Sequence, residues 1–149
     1  MTTTVEVELG AGFRAQVDAV DKNGHTALMD AAKAGNLAQV SDLMERGANL
    51  AARSDKGKTA LHFAASHGRA DVVRLLLSKG AEVDARDRDG HTPLMLAANY
   101  GCTQTSQLLM DSGADPLAIS YSGTTSLAYA ENNRHRQTLD VLMKAVRSH

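Results

Sequence analysis

A repeat with a period of 33 residues constrains the fold of this chain more than any other feature. The glycines that mark it are Gly24, Gly57, Gly90 and Gly123, and the threonines that follow each by two positions are Thr26, Thr59, Thr92 and Thr125. A fixed period of this size indicates a stack of small units in which each unit contacts only its neighbours. We therefore expect function to belong to the surface of the stack rather than to a buried catalytic pocket.

Each unit has the pattern turn, helix, turn, helix. In the second unit the residues around Gly57 have turn chemistry, because glycine adopts the positive φ that a tight turn requires. Thr59 then predicts a helix N-cap, and in the third unit Pro93 stands at the first helical position, where its missing N–H costs nothing. Gly68 is expected to end the first helix, and Gly80 the second.

Together these residues resemble the ankyrin repeat, whose pattern is D-x-x-G-x-T-P-L-H-x-A-A-x-x-G, with a leucine-rich second helix and a closing G-A-D. The clearest matches lie in the second and third units: Gly57, Thr59, Leu61, His62, Ala64, Ala65, Gly68, then Asp87, Gly90, Thr92, Pro93, Leu94, Ala97, Ala98, Gly101. The resemblance covers about residues 14–147. It implies an all-α solenoid of helix-turn-helix units with short hairpin-like turns.

We expect a single ankyrin-repeat domain of four units preceded by a half unit. The predicted segments are an N-terminal tail at 1–13, a half unit at 14–20, and units at 21–53, 54–86, 87–119 and 120–149. The second helix of the third unit has polar residues at 103–107 before its only apolar run, 108–110. We therefore expect local opening to begin there.

The composition limits the cellular compartments and the classes of partner that we expect for this protein. A hydrophobic content of 43% in 149 residues is enough for one core. A single cysteine excludes an internal disulfide and fits a reducing compartment, and no stretch has the roughly 18 apolar residues of a membrane helix. The start of the chain lacks a secretory signal pattern. We expect a cytoplasmic or nuclear protein with no membrane insertion, and the net charge of −1 predicts no general attraction to nucleic acid.

No set of residues combines a nucleophile, a base and an orienting group, so we expect no enzyme activity, no catalytic residues, no cofactor and no metal. His62 holds the fourth position of the T-P-L-H motif, where the resemblance implies bonds within and between repeats. The other histidines show no metal-ligand spacing. Cys102 lies at an expected helix start, which can lower a thiol pKa, although an inert surface thiol is the interpretation we prefer.

The resemblance implies that the turn tips and first helices form a concave face that binds a partner protein. The candidate binding residues are Lys22, Asn23, His25, Lys33, Arg53, Asp55, Lys56, Lys58, Ser66, His67, Arg86, Arg88, Asp89, His91, Asn99, Tyr100, Tyr121, Ser122 and Thr124. On this face and the adjoining first helices, seven side chains are Lys or Arg and three, including Glu131, are acidic. We expect a monomeric interaction module that binds a protein with an acidic segment, using Tyr100, Tyr121 and His67 as flat anchors.

Three alternatives stay open at this level. The chain could act as an inhibitory or regulatory subunit of an enzyme or transcription factor, which depends on the partner. Basic tips could serve solubility alone. The tips could also bind nucleic acid or phosphoinositide. This alternative is less favoured, because Asp55 and Asp89 lie between the basic residues and only Tyr100 and Tyr121 are available to stack on bases.

Overall fold

The computed structural model describes residues 16–148 and shows four helix pairs in this range. The pairs are α1 (Ala27–Ala34) with α2 (Leu37–Glu45), α3 (Ala60–Ser66) with α4 (Ala70–Ser78), α5 (Pro93–Asn99) with α6 (Thr103–Asp111), and α7 (Ser126–Asn132) with α8 (Arg136–Arg147). The only β pairing within residues 16–148 is an isolated bridge between Ile119 and Thr125. The all-α fold is confirmed, while the tail predicted at 1–13 lies outside the described residues.

The predicted helix boundaries are confirmed at both ends. The hydroxyl of Thr59 caps α3 by accepting a hydrogen bond from the backbone N–H of His62, and the threonines of the other three units do the same. Pro93 occupies the first turn of α5. Gly68 follows α3 with φ of 66°, the left-handed conformation expected of a helix-ending glycine. In the fourth unit Arg134 adopts φ of 60° at the matching position.

The helices form two rows, with the first helices of the units (α1, α3, α5, α7) in one row and the second helices (α2, α4, α6, α8) in the other. First helices lie closer to their neighbours than second helices do, because small buried residues such as Ala64 and Ala65 let the backbones approach. The stack therefore curves, with the first helices on its inner side. The turn tips contact this row, since His25 of the first tip packs against Phe63 of α3, so the two elements proposed for binding are neighbours.

One continuous apolar core runs through the described units. Leucines that repeat every 33 residues form its centre, and all but one are buried: Leu28, Leu61 and Leu94 from first helices, and Leu43, Leu76, Leu109 and Leu142 from second helices. Leu127 of α7 is partly buried. The repeat pattern in the sequence therefore marks the core directly.

Within residues 16–148, the second helix of the third unit carries a polar residue at a core position. Ser106 holds the position that Val40 and Val73 hold in the first two units, and it is 0% exposed. Its hydroxyl Oγ has no hydrogen-bond partner. Burying an unpaired hydroxyl costs about 1–3 kcal/mol. This supports the expectation that α6 opens before the other helices, which stays a prediction.

Replacing Ser106 with valine is expected to stabilise the protein by about 1–2 kcal/mol, because it removes the unpaired hydroxyl and adds buried apolar surface. Chemical denaturation measures the free energy, and hydrogen exchange should show slower exchange of the α6 amides. The matched control is Val73→Ser on α4, which should lose a similar amount or more. A Ser106→Val variant that is no more stable, with α6 exchange unchanged, would show that Ser106 is not the weak point.

Candidate partner-binding face

Backbone hydrogen bonds join the four turn tips into one ladder. Within the second tip, the N–H of Gly57 donates to the carbonyl of Ser54 at 2.8 Å. Between tips, each rung is a single bond, in which Asp55 donates to the Asn23 carbonyl at 3.0 Å, Arg88 to Lys56 at 3.0 Å and Tyr121 to Asp89 at 3.1 Å. The tips are thus fixed relative to one another.

The residue that donates each of these bonds also covers the glycine of the preceding tip. Asp55 lies over Gly24, and Arg88 lies over Gly57. The ring of Tyr121 lies over Gly90, where an added Cβ would come within 2.6 Å of the Tyr121 Cδ1 atom. Glycine is required there both for its φ of 77° and for this close approach.

Two candidate binding residues, Arg53 and Arg86, form hydrogen bonds between neighbouring units. The Nη1 atom of Arg53 donates to the carbonyls of Gly57 and Arg86, at 2.9 and 2.6 Å. Arg86 repeats the arrangement one unit further along, with the carbonyls of Gly90 and Ile119 at 3.0 and 2.6 Å. Each guanidinium group is therefore held in place by the stack through its Nη1 atom and keeps its positive charge.

Lys58 is also engaged internally, by a salt bridge to Asp87. The lysine Nζ lies 2.5 Å from Asp87 Oδ2, and Asp87 is only 4% exposed. Its other oxygen, Oδ1, accepts the backbone N–H groups of Asp89 and His91, both at 2.9 Å. Burial acts to raise the pKa of Asp87, but the bonds from Lys58 and from the two backbone groups outweigh it and hold that pKa below its usual value.

His62 is buried and bonds both within and between units, as expected. Its Nδ1 accepts the N–H of Thr59 at 3.1 Å, and its Nε2 lies 2.9 Å from the carbonyl of His91. These partners place the proton on Nε2, which donates to that carbonyl. Burial lowers the pKa of His62 to about 4, although the bond to His91 acts in the opposite direction.

The remaining candidate histidines also contact the protein itself. His25 packs edge-on against the ring of Phe63, with centroids 4.9 Å apart. The Nδ1 of His67 lies 3.0 Å from the Phe63 carbonyl and from the Ser66 hydroxyl. His91 Nε2 is 2.9 Å from the hydroxyl of Tyr129. Of these rings, His67 is the exposed one.

The exposed charges on this face are balanced in number. The exposed cations among the candidate residues are Lys22, Lys33, Arg53, Lys56 and Arg88. The exposed acids of the tips and first helices are Asp21, Asp30, Asp55, Asp89 and Glu131. Sequence reasoning overestimated the positive charge, because Lys58 is paired with Asp87 and because Asp21 and Asp30 were not considered.

The third and fourth units each carry an exposed tyrosine. Tyr121 is 70% exposed and Tyr100 is 60% exposed. The other candidates from these two units that carry no charge are Asn99, which is half-buried, Ser122 and Thr124. The side-chain oxygen of Asn99 accepts a hydrogen bond from the amide of Asn133 at 2.8 Å.

A family model described as ankyrin repeats, in three copies, matches residues 3–87 and 80–148. The chain belongs to the ankyrin-repeat family. The resemblance deduced from the sequence is confirmed, and ankyrin repeats are in general protein-interaction modules. A comparison with curated proteins gives no match. No ankyrin helix within residues 16–148 combines the length and apolar character needed to cross a membrane.

The ankyrin turns bring together two groups of possible metal ligands that sequence reasoning missed. They are Asp21, His25 and Asp30 in the first unit, and Asp87, Asp89 and His91 in the third. The shared Asp-x3-His spacing was the available signal. In both turns, however, the aspartate already accepts backbone N–H groups. Asp21 Oδ1, for example, accepts those of Asn23 and His25 at 2.8 and 2.9 Å. Turn closure explains both groups, and we assign no metal to them.

Cys102 stands between two ankyrin units as a half-buried free thiol. It precedes α6, yet burial raises the pKa of its thiol above the usual value. The alternative of a thiol activated by the helix start is therefore wrong, because desolvation disfavours the thiolate. At the matching position in the fourth unit His135 bonds to the Asn99 carbonyl at 3.0 Å, so this position serves contact between units.

Proposed function

We propose that this ankyrin-repeat chain is a monomeric, non-enzymatic module that binds a partner protein on its concave face. The observation that carries the proposal is the ladder of backbone bonds through the four tips, reinforced by Arg53 and Arg86. A surface fixed in this way loses little conformational entropy on binding. We place the module in the cytoplasm or nucleus because its single cysteine is unpaired.

The finer expectation, an acidic partner, loses part of its basis. One of the seven cations that motivated it, Lys58, is neutralised by the buried Asp87, and five exposed acids lie among the six cations that remain. The same balance argues against nucleic acid, whose binding depends on unopposed positive charge. The partner class that we propose is a protein segment without a required run of acidic residues.

Affinity capture from native lysate with mass spectrometry tests the proposal. The wild type is compared with a concave-face variant carrying Lys56→Glu, Arg88→Glu and Tyr121→Ala. The matched control carries Arg74→Glu, Lys79→Glu and Met143→Ala, which are exposed changes on or directly after second helices. Circular dichroism first confirms that all three proteins are folded.

We expect a protein that the wild type and the control capture and the concave-face variant does not. Capture that survives the concave-face changes but is lost in the control would move the binding surface to the second helices and contradict the proposal.

A further inference from the structure

We infer that an extended segment of the partner binds at the fourth tip, residues 116–125, and continues the ladder of backbone bonds past the last described unit. The segment donates a backbone N–H to the carbonyl of Ser122 and packs an apolar side chain against Leu117 and Ile119. This inference rests on the proposed function, since the fourth tip is part of the face proposed for binding, and it names the place on that face and the chemistry of the partner.

The first reason is a free carbonyl at the end of the ladder. Each of the first three tips presents one carbonyl that accepts the N–H of the following tip, and in the third tip the carbonyl of Asp89 accepts the N–H of Tyr121. Ser122 holds the matching position in the fourth tip, and its carbonyl has no protein donor within residues 16–148. An unpaired backbone group at such an edge is a template for pairing with another chain.

The second reason is the exposure of two large aliphatic side chains beside this carbonyl. Leu117 is 52% exposed and Ile119 is 53% exposed. They lie two residues apart along the chain, so their Cα atoms are at most about 7 Å apart. Ala118 between them is half-buried and Ser120 is buried, so the two aliphatic side chains share the exposed side of the segment. Binding would remove this apolar area from water.

Both aliphatic residues stand at positions that join each unit to the following one. Asp84, at the position of Leu117, accepts the backbone N–H of Asp115 in the following unit, at 3.3 and 3.2 Å from its two oxygens. Arg86, at the position of Ile119, donates to the Ile119 carbonyl in the following unit. In the fourth unit the same two positions meet no following unit within the described residues, and both are apolar.

The third reason is the absence of charge from the fourth tip and the helix after it. Residues 116–130 include no charged side chain, whereas the matching stretches contain four at 50–64 and five at 83–97. The nearest charges along the chain are Asp115 and Glu131, one on each side. The outer face of a terminal repeat is ordinarily polar for solubility. An apolar, uncharged surface there indicates a site that a partner covers.

The first unit provides an instructive comparison. Val20 holds the position of Ile119 and is 60% exposed. However, Asp18 stands there in place of Leu117, and the carbonyl of Asn23 already accepts the N–H of Asp55. The first tip thus has one exposed aliphatic side chain but no free rung, which makes Val20 a control position rather than a second site.

The backbone of the fourth tip is already closed and extended. The N–H of Ser120 donates to the carbonyl of Thr124, and the N–H of Gly123 donates to the carbonyl of Ser120, both at 2.9 Å. The isolated β bridge between Ile119 and Thr125 lies in the same tip. A partner strand that adds to such an edge gains main-chain hydrogen bonds, and its side chains supply the specificity. Little ordering of the tip is needed on binding.

Selection of a random 12-residue phage peptide library on the purified full chain provides the test. Dissociation constants of the synthesised selected peptides are measured by fluorescence polarisation. The main variant, Leu117→Asp/Ile119→Arg, carries the residue types that the third unit has at these positions, Asp84 and Arg86, so it should fold and keep its stability. A second variant, Leu117→Ala/Ile119→Ala, removes the aliphatic side chains without adding charge.

Two further variants are controls. Val20→Arg/Leu37→Asp also replaces two exposed aliphatic side chains by one cation and one anion, but in the first unit. Lys56→Glu/Arg88→Glu changes the charged tips and leaves the fourth tip intact. Circular dichroism and urea denaturation establish that each variant is folded.

We expect the selected peptides to share an apolar residue. Their dissociation constants should rise at least about 30-fold in Leu117→Asp/Ile119→Arg and at least about tenfold in Leu117→Ala/Ile119→Ala, and change less than about threefold in the two controls. Methylation of one particular backbone nitrogen of the peptide should weaken binding about tenfold, because the methyl group replaces the hydrogen donated to Ser122. Methylation of nitrogens that face solvent should have less than a threefold effect.

Peptide binding that is lost in Lys56→Glu/Arg88→Glu and kept in Leu117→Asp/Ile119→Arg would overturn the inference and leave the concave face as the binding site. Loss in Val20→Arg/Leu37→Asp alone would overturn it by placing the site in the first unit. Tolerance of methylation at every nitrogen, or failure to enrich any sequence, would also overturn it, and lysate capture would then decide the proposed function independently.

Sedimentation velocity separates a partner from a second copy of this chain. We expect the wild type and Leu117→Asp/Ile119→Arg to sediment alike, as monomers. A wild-type dimer that this variant abolishes would make a second copy the occupant of the fourth tip, which would overturn both the inference and the monomeric state in the proposed function.

Discussion

Lowering the pH from about 7.5 to about 4 is expected to remove about 3 kcal/mol from the free energy of unfolding through His62 alone. The pKa of His62 is about 4 in the folded protein and 6.5 at its unperturbed value. The unfolded chain therefore takes up a proton at a higher pH than the folded protein does. The stability is fully present above about pH 6.5, and it is lost as pH falls towards 4, by about 2 kcal/mol at about pH 5.

The first and third units supply a matched variant. Met29 and Met95 occupy the position of His62, and each is buried. The Met29 sulfur accepts the N–H of Thr26 at 3.4 Å, which is the role that His62 Nδ1 has towards Thr59. His62→Met should therefore fit. In this variant the carbonyl of His91 loses its hydrogen bond from His62 but still accepts the N–H of Asp87 at 3.0 Å.

Urea denaturation of both proteins at several pH values measures the effect. The titration of the other histidines cancels in the difference between wild type and His62→Met. We expect the two proteins to differ by less than about 1 kcal/mol above pH 7, and the wild type to lose about 3 kcal/mol relative to the variant by about pH 4. Parallel pH profiles would mean that His62 takes up its proton in the folded state at its ordinary pKa.

The sequence predicted the fold because the determinants of each unit are local. A threonine before a helix and a glycine after it act through bonds to backbone groups three to six residues away, and the 33-residue period repeats those signals. Leucines at matched positions then form the core. A pattern that is visible in one unit and repeated in the next is enough to define the stack.

The candidate site was less predictable because its properties depend on contacts between units. Lysine and arginine at tip positions have the same sequence signature whether they face solvent or bond to a neighbour. Only the structure shows that Arg53 reaches the Arg86 carbonyl and that Lys58 meets a buried Asp87. The lack of a hydrogen-bond partner for the Ser106 hydroxyl likewise depends on the residues around it, which the sequence does not reveal. Exposure of Tyr100 and Tyr121, in contrast, follows from their positions in the repeat.

Replacing Gly90 with alanine is expected to cost about 3 kcal/mol, while the same change at Gly123 should cost about 1 kcal/mol. Both glycines have positive φ, 77° and 83°, so both variants experience the strain of a left-handed alanine, about 1 kcal/mol. Within the described residues nothing lies within 4 Å of an added Cβ at Gly123. At Gly90 the added Cβ would lie 2.7 Å from the backbone nitrogen of Tyr121.

Moving the tyrosine ring alone cannot relieve that contact, because the nitrogen belongs to the backbone. The rung between Tyr121 and Asp89 must therefore open, which loses a hydrogen bond and the packing of the ring over the tip. Chemical denaturation measures the free energy of unfolding of the two variants. Equal losses of stability would show that the hydrogen bond between Tyr121 and Asp89 opens without a cost in free energy.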